Sequence, residues 1–432
     1  MSVLTVLLTS MTVLFLLGLP IYAALAIAAT LALVTSDILP LAVVQSSLYD
    51  GLNIFPLLAI PCFIVAGALM ERGNITSQII NVVRALVGRI YGGIGITTIL
   101  ACAVFASITG SATSTVAAIG AIMVPAMIRN GYSPAYAGAS SASGGTIGIL
   151  IPPSNPMIIY AIVANISISG MFAAGFIPGF IMAASLSVMA YILARRGGFK
   201  ADETIGEFTW MAFFKTCKES FFSLATVVIV LGSIYSGLAT PVEASVVSVA
   251  WALFVGTMVN RALTWKDIYD SLVEGVMLCG AITVIVGAST LFGKILTYEE
   301  APVRLAEFMI AITRDKYIIM LLIVAMLYVL GMFIETLAMV ILVTPVLVPV
   351  LRELDINLIH FGIVMVIANE VGLLTPPMGV NLFVASRLSG VSVEKLAIAV
   401  LPYIIVMTLV VLLVVFCEPI STFLPSLLGF NY

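Results

Sequence analysis

Residues 396–416, LAIAVLPYIIVMTLVVLLVVF, run for 21 positions without one charged side chain. As a helix that run rises about 30 Å, the thickness of a bilayer's hydrocarbon core, so the chain that contains it folds in lipid. The runs FFSLATVVIVLGSIY (221–235), VEASVVSVAWALFVGTMV (242–259) and YIIMLLIVAMLYVLGMF (317–333) are of spanning or nearly spanning length too. Hydrophobic residues make up 62% of the 432 and charged residues 9%, whereas a soluble domain is roughly half apolar and a quarter charged. Transmembrane barrels read as alternating segments of about ten residues, and no such alternation is present. The fold class is therefore an all-α polytopic membrane protein.

The same sequence excludes several function classes. No Walker Gly-x-x-x-x-Gly-Lys-Ser/Thr is present, so this chain does not hydrolyse ATP. An intramembrane protease needs a Ser/His pair, paired aspartates within spans or a zinc-binding HExxH. The sole histidine, His360, stands near a helix start as a structural residue, and the aspartates fall in the breaks between apolar runs. Cys62, Cys102, Cys217, Cys279 and Cys417 are scattered and without metal-ligand spacing, as packing residues are. A net charge of −3 gives no footing for a nucleic-acid partner. The first basic residue is Arg72, so the apolar start at 3–34 lacks the positive region of a cleaved signal and reads as mature membrane structure.

Polar breaks fall near 35–53, 71–89, 129–134, 195–219, 260–274, 294–316, 352–357 and 387–395, and the longest divides the chain nearly in half. Sliding the sequence against itself by 224 positions brings Pro125 onto Pro349, Gly138 onto Gly362 and Gly148 onto Gly372. The same register brings Pro152 and Pro153 onto Pro376 and Pro377, and Pro178 onto Pro402, without a gap. Transporters are commonly built from two such repeats. Arg195, Arg196 and Lys200 follow the last helix of the first repeat, whereas Glu418 and no basic residue follow that of the second. Basic residues concentrate in short cytoplasmic loops, so matching ends face opposite sides. The expectation is an inverted repeat with 195–218 in the cytoplasm and the C-terminus outside.

In GGTIGILIPPSNP (144–156) three glycines and three prolines interrupt apolar sequence. A proline inside a helix costs about 3 kcal/mol or more, and irregular backbone survives at membrane depth only when buried in protein or lining a wet cavity. A duplicated Gly-x-x-x-Pro-Pro therefore marks a use. Unwound backbone frees carbonyl oxygens for a hard cation such as Na+, and half-helix N-termini present N–H groups to an anion. Each motif is preceded by a second polar break, SITGSATST (107–115) in the first half and FIETLAMV (333–340) in the second. An apolar run, a polar tip and a second apolar run of about a dozen residues suggest a re-entrant hairpin, too short for two spans.

Glu335 reads as a cation ligand or as a polar group at the hairpin tip, and Glu370 as a group that orients the second motif. Ser140, Ser141 and Ser143 read as packing residues, and Glu243 as a complement to a helix dipole. Arg387, ten residues after the second motif, either meets an anionic substrate or snorkels to the interface. Trp210 with Lys215 and Lys218, and Trp265 with Lys266, read as interfacial anchors or as arm helices along the bilayer surface.

SITGSATSTVAAIGAIMVPAM (107–127), GGTIGILIPPSNPMIIYA (144–161), GFIPG (175–179) and VGLLTPPMGVNLFVASRLSGV (371–391) closely resemble the large membrane subunit of tripartite ATP-independent periplasmic (TRAP) transporters, the DctM-like family. The resemblance covers essentially the whole chain. It implies an inverted-repeat elevator-type transporter of the bacterial inner membrane, with two re-entrant hairpins and discontinuous helices. Its implied activity is sodium-driven import of a small organic anion, a carboxylate such as a C4-dicarboxylate or sialic acid. A periplasmic binding protein would deliver the substrate and a small four-helix membrane subunit would brace the scaffold. Because the chain starts directly at the large subunit, that small subunit is expected as a separate polypeptide.

Carried over by motif, a first Na+ site would use oxygens around Thr109, Ala112, Gly148, Ile151 and Pro153. Its partner would use Phe333, Thr336, Gly372, Thr375 and Pro377, with Glu335 alongside. Substrate would lie near Ser111, Thr113, Ser154, Asn155 and Asn381, with Arg387 as a further candidate where family members carry a small residue. Repeats at 95–180 and 319–405 would move against scaffold segments 1–94 and 181–318, and 406–432 would form the C-terminal helix end and tail. The rival within transport is a stand-alone ion-coupled anion carrier that needs no binding protein.

Overall fold

The computed structural model describes residues 3–36, 40–199, 209–313, 315–376 and 379–430, and all regular structure among them is helical. The first five helices are α1 (Val3–Leu16), α2 (Ile21–Val34), α3 (Ala42–Leu52), α4 (Ala59–Arg72) and α5 (Ile75–Val87). The next five are α6 (Gly93–Thr109), α7 (Ala112–Arg129), α8 (Pro134–Gly145), α9 (Asn155–Ala164) and α10 (Ile168–Arg196). Then follow α11 (Trp210–Glu219), α12 (Phe221–Tyr235), α13 (Pro241–Phe254), α14 (Trp265–Tyr298) and α15 (Ala301–Ile312). The last six are α16 (Lys316–Gly331), α17 (Thr336–Glu353), α18 (Leu358–Leu373), α19 (Val380–Ser389), α20 (Val393–Phe416) and α21 (Pro419–Leu427). Four stretches read as polar breaks, 35–53, 71–89, 195–219 and 294–316, thus contain helices, α3, α5, α11 and α15.

The sequence repeat is a structural repeat. Helices α7 and α17, each of 18 residues, start and stop at the offset that aligns the prolines. Their N-caps, Ser111 and Glu335, differ chemically but cap alike, since each side chain accepts a backbone N–H of its helix. The same holds one helix on, where Ser133 caps α8 and Asn357 caps α18. The repeat persists as capping chemistry at positions where residue identity has been lost. The hairpin arms are longer than the dozen residues expected, because each continues through its internal proline, Pro125 in α7 and Pro345 and Pro349 in α17. Arms α6 and α7 pack along each other, whereas α16 packs mainly on α18 and touches α17 only near their break.

The two repeats exchange their short helices. Helix α9 packs on α17 and α18, and α19 packs on α7 and α8, the reciprocal arrangement a two-fold axis generates. Polar contacts pin the exchange. Tyr160 Oη donates to the Leu358 carbonyl at 2.7 Å, Arg352 Nη2 donates to the Ala164 carbonyl at 3.2 Å, and Ser140 and Tyr403 share a 2.9 Å hydroxyl contact. Close backbone approach needs small residues in membrane bundles. A Cβ on Gly362 would run into the Tyr160 ring, and one on Gly120 would lie 2.6 Å from Ser141 Oγ. The buried serines Ser140, Ser141 and Ser143 sit in this packing, as their composition suggested.

Around the repeats run the remaining helices. The 34 residues of α14 make a helix of about 51 Å, longer than the bilayer core, and it packs on α2, α3 and α4. Capping boxes start α13 and α14, Thr240 with Glu243 and Thr264 with Asp267, so Glu243 has the structural role expected of it. Helix α11 meets α12 at a 70° bend and leaves Trp210 and Phe214 exposed, as a helix lying along the membrane surface would. His360 is buried and pairs its Nδ1 with Ser421 of α21 at 2.7 Å. Among the described residues, seven helical segments are long and apolar enough to cross a membrane alone, and the bent α11–α12 pair makes up to eight. Replacing Gly362 by Val inserts atoms into the Tyr160 ring, a change of the overpacking kind worth about 1–3 kcal/mol. The expected result is a lower unfolding midpoint and yield for Gly362→Val in detergent, with Val246→Ala on an exposed face of α13 indistinguishable from the parent.

Candidate functional site

Helix α6 ends where Gly110 takes the left-handed conformation (φ 60°), and Ser111, extended, starts α7 by accepting from Ser114 N at 3.4 Å. The second interruption follows α8: one tight turn over Thr146–Ile149, then non-helical backbone to Ser154, with α9 starting at Asn155. The Pro152–Pro153 peptide is cis. Every residue of that non-helical stretch is buried, which satisfies the rule that irregular backbone at membrane depth be enclosed by protein.

The two interruptions touch. Asn155 N donates to the Gly110 carbonyl at 3.3 Å, and a Cβ on Gly110 would lie 2.7 Å from the Pro153 carbonyl oxygen. A Cβ on Gly148 would lie 2.7 Å from Thr115 Oγ1, 2.9 Å from the Ser111 carbonyl oxygen and 3.1 Å from Ala112 Cα. Thr115 donates to the Ser111 carbonyl at 2.7 Å and meets Thr109 Oγ1 at 3.1 Å. Thr109, Ala112, Gly148 and Pro153 therefore bound one small cradle of neutral oxygens, kept open by two glycines. Such donors suit a hard monovalent cation, because they replace its hydration without adding charge. Thr115 belongs to this cradle although motif reading did not single it out; its signal was membership of the hydroxyl-rich break. Ile151 turns its side chain to α10, where a Cβ on Gly179 would meet it at 2.7 Å.

In the second repeat, Glu335 accepts from Leu337 N at 3.0 Å, and Thr336 Oγ1 donates to Glu370 Oε1 at 2.9 Å. Gly372 lies against Gly331 so closely that a Cβ on it would be 2.6 Å from the other's Cα. Thr375 folds back on its own turn, its Oγ1 donating to the Val371 carbonyl at 2.8 Å. Phe333 is exposed, and Pro377 lies outside the described residues. The two cradles differ in their titratable groups. Glu370 stands at the repeat position of Thr146, and it is buried with Oε2 lacking a partner among the described residues. Beside it in sequence Asn369 is fully buried with neither amide atom bonded among the described residues. Motif reading gave Glu370 an orienting role, and the side chain it holds is that of Thr336.

Between the repeats and the α4 and α14 helices lies a cavity of about 430 Å³. Thr109, Ser111, Thr113, Asn155 and Glu335 line it from the repeats, and Glu71 and Glu274 from α4 and α14. Thr113 Oγ1 reaches Asn381 Oδ1 across the repeats at 3.5 Å. Ser154, Asn155 and Asn381 are buried, and each keeps one polar atom without a partner among the described residues. Buried polar groups left unpaired are rare, and one of these, Asn155, lines the cavity between the broken helices, as an acceptor in a binding site does. Arg387 sits elsewhere, exposed on the last turn of α19 six residues past Asn381, about 9 Å along the helix. A larger crevice of about 770 Å³ between α3, α14, α9 and α17 is mostly apolar, and its one ammonium, Lys294, is paired with Asp50 at 3.1 Å. Among the described residues it lacks a buried, unpaired acceptor like Asn155 Oδ1 in the smaller cavity.

Comparison with known proteins bears on the identity of this architecture. The family model described as "Tripartite ATP-independent periplasmic transporter, DctM component" matches residues 8–420. The chain is 36% identical over 406 residues, 94% of its length, to the isethionate TRAP transporter permease protein DctMQ of Oleidesulfovibrio alaskensis, and spans 64% of that permease. It is 35% identical to the sialic acid TRAP transporter large permease protein SiaM of Vibrio cholerae, covering 96% of each chain. Among solved structures, the YdaH transporter of Alcanivorax borkumensis superimposes with a TM-score of 0.62 over 90% of this chain and 88% of that one. At 14% identity, that last likeness is one of fold alone. The chain thus belongs to the DctM component of the tripartite ATP-independent periplasmic transporters, and is a multi-pass permease of the bacterial inner membrane.

Proposed function

We propose that this chain is the large permease of a sodium-coupled importer that receives a small organic anion from a periplasmic binding protein and carries it inward by an elevator movement. The observation that carries the reading is the meeting of interrupted helices of both repeats at one cavity, lined by Thr109, Ser111, Thr113 and Glu335 and by Asn155, whose buried Oδ1 has no partner among the described residues. The relatives named above transport isethionate and sialic acid, both small organic acids, which supports the substrate class. A small membrane subunit would brace the scaffold, and 195–218 would face the cytoplasm.

The division of labour follows the repeat. Residues 95–180 and 319–405 would form the moving body, and 1–94 and 181–318 the frame against which it slides. The first Na+ would lie in the cradle of Thr109, Ala112, Gly148 and Pro153, with Thr115 as an additional hydroxyl, and Ile151 offering only its backbone. The second would lie among Phe333, Thr336, Gly372, Thr375 and Pro377, where Glu370 supplies a carboxyl group that the first lacks. Substrate would occupy the cavity beside Ser111 and Thr113, where the N-terminus of α7 presents a positive dipole end to an acid group. A ligand that binds only the folded state stabilises it by about 2.7 kcal/mol at a hundred times its Kd, so Na+ raises the unfolding midpoint of the purified protein and K+ does not.

The competing reading is a carrier that works without a binding protein. Uptake of free substrate by proteoliposomes containing only this chain would overturn the tripartite reading.

Variants separate the sites from the movement. Gly148→Ala places a methyl among the cradle oxygens and raises the half-saturating Na+ concentration for uptake at least ten-fold, about 1.4 kcal/mol, at unchanged protein level. Thr375→Ala and Pro377→Ala lower Na+-dependent uptake more than protein level, and undiminished sodium dependence in both counts against the second site. Ser289 of α14 donates to the Ile341 carbonyl of α17 at 2.8 Å, so the frame and the moving body are in contact there. In a chain whose five cysteines are replaced, a Ser289→Cys/Ile341→Cys pair, once cross-linked, stops uptake, and reduction restores it. Full-rate transport by the cross-linked protein would remove the elevator movement.

A further inference from the structure

The cavity is lined by acceptors where an anion carrier should offer cations. Its charged lining residues are three carboxylates, Glu71 and Glu274 on the frame and Glu335 at the second hairpin tip, and among the described residues no Lys, Arg or His lines it. Glu274 is compensated, because Arg72 Nη2 pairs with it at 3.0 Å on the neighbouring face. Glu335 is not: among the described residues its carboxylate accepts only backbone N–H of its own helix, from Leu337 at 3.0 Å, and no cationic side chain pairs with it. At the same position of the first repeat stands Ser111, which caps α7 with a neutral hydroxyl. The cap therefore does not require a carboxylate, and the one at Glu335 is extra.

An independent feature points the same way. Asn155 is 2% exposed, lines the same cavity, and leaves its Oδ1 without a donor among the described residues. An orphaned acceptor at nine-tenths burial or more calls for an N–H or a cation. Glu335 is exposed, so its carboxylate is open to a ligand that enters the cavity. The α7 end of the cavity is complementary to an acid, with the hydroxyls of Ser111, Thr113 and Ser114 at a helix N-terminus. Glu335 lies beside this helix start, lining one small pocket with Ser111 and Thr113, so donors for an acid group and two acceptors, the carboxylate and the Asn155 amide oxygen, face the same cavity.

We propose that the substrate is zwitterionic, an amino-substituted carboxylate or sulfonate whose ammonium group is held by Glu335 and Asn155 Oδ1 while its acid group lies at the α7 N-terminus. This assignment rests on reading the cavity as the substrate site. Glu335 then sets specificity, rejecting plain organic acids through charge repulsion as well as accepting amines, in the way specific sites combine both.

The test uses the purified full chain in lipid nanodiscs at saturating Na+ and two pairs of probes matched in size: taurine against isethionate, and aspartate against succinate. Thermal unfolding reads the apparent Kd of each. The expected result is at least ten-fold tighter binding of an amino member than of its partner, abolished in Glu335→Gln, while the Na+-induced shift in midpoint is retained in that variant. Equal or tighter binding of isethionate and succinate overturns the proposal, as does failure of all four probes to shift the midpoint. A Glu335→Gln variant that keeps the amine preference and loses the Na+ shift would make Glu335 a sodium ligand and also overturn it. A parent chain with no Na+ shift would sink the sodium reading instead, independently of the ratio between paired probes.

Discussion

A backbone amide or carbonyl in hydrocarbon must find its partner within the protein, and that demand governs every unusual feature of this chain. Regular helices meet it within themselves. The interruptions at Gly110–Ser111 and Leu150–Ser154 meet it because they are buried or half-buried among other helices, whereas Met332–Glu335, with Phe333 and Glu335 exposed, is capped by the Glu335 side chain. Burial of an interruption therefore requires a second element against it: Pro153 and Asn155 meet Gly110 within the first repeat, and helices of the opposite repeat pack around both. Helix α19 covers α7 and α8, and α9 covers α17 and α18. The exchange is the means by which two stretches of broken helix can exist at membrane depth.

Enclosure leaves a residue of unsatisfied chemistry, and it is confined. The first cradle holds neutral oxygens of Thr109, Thr115, Ser111 and Pro153 against two glycines. The second holds Thr336 bonded to the buried carboxylate of Glu370. Gene duplication gives two copies of one geometry, and divergence at Thr146/Glu370 and Ser111/Glu335 put carboxyl groups in the second copy where the first has hydroxyls. The difference matters in a low-dielectric interior, where one carboxylate outweighs several dipoles. The same divergence made one hairpin tip a hydroxyl cap and the other a carboxylate facing the cavity.

Much of this was legible in the chain. The apolar runs required a bilayer, the 224-residue offset gave the two repeats, and the paired prolines located the interruptions. The hydroxyl and carboxylate breaks lie between helices as expected, since Ser111 and Glu335 each accept a backbone N–H at a helix start. Other features were not legible. Arm length was underestimated, because a proline such as Pro125 reads locally as a stop yet is tolerated when neighbouring helices pack around the kink. Thr115 escaped notice because five other hydroxyls surround it, and only the fold shows which one faces Gly148.

Local chemistry acts through the few residues on either side of it, so the sequence alone determined membrane class, helix starts and stops, the duplication and the places where helices break. Contacts between residues tens to hundreds of positions apart answer to packing, which no local pattern encodes. Tertiary structure therefore decided that Asn155 meets Gly110, that Thr113 reaches Asn381, that Glu335 faces the cavity and that Arg387 stays outside it. The physical reason is that a backbone break fixes where a chain must be covered, whereas the shapes of all the helices together fix what covers it.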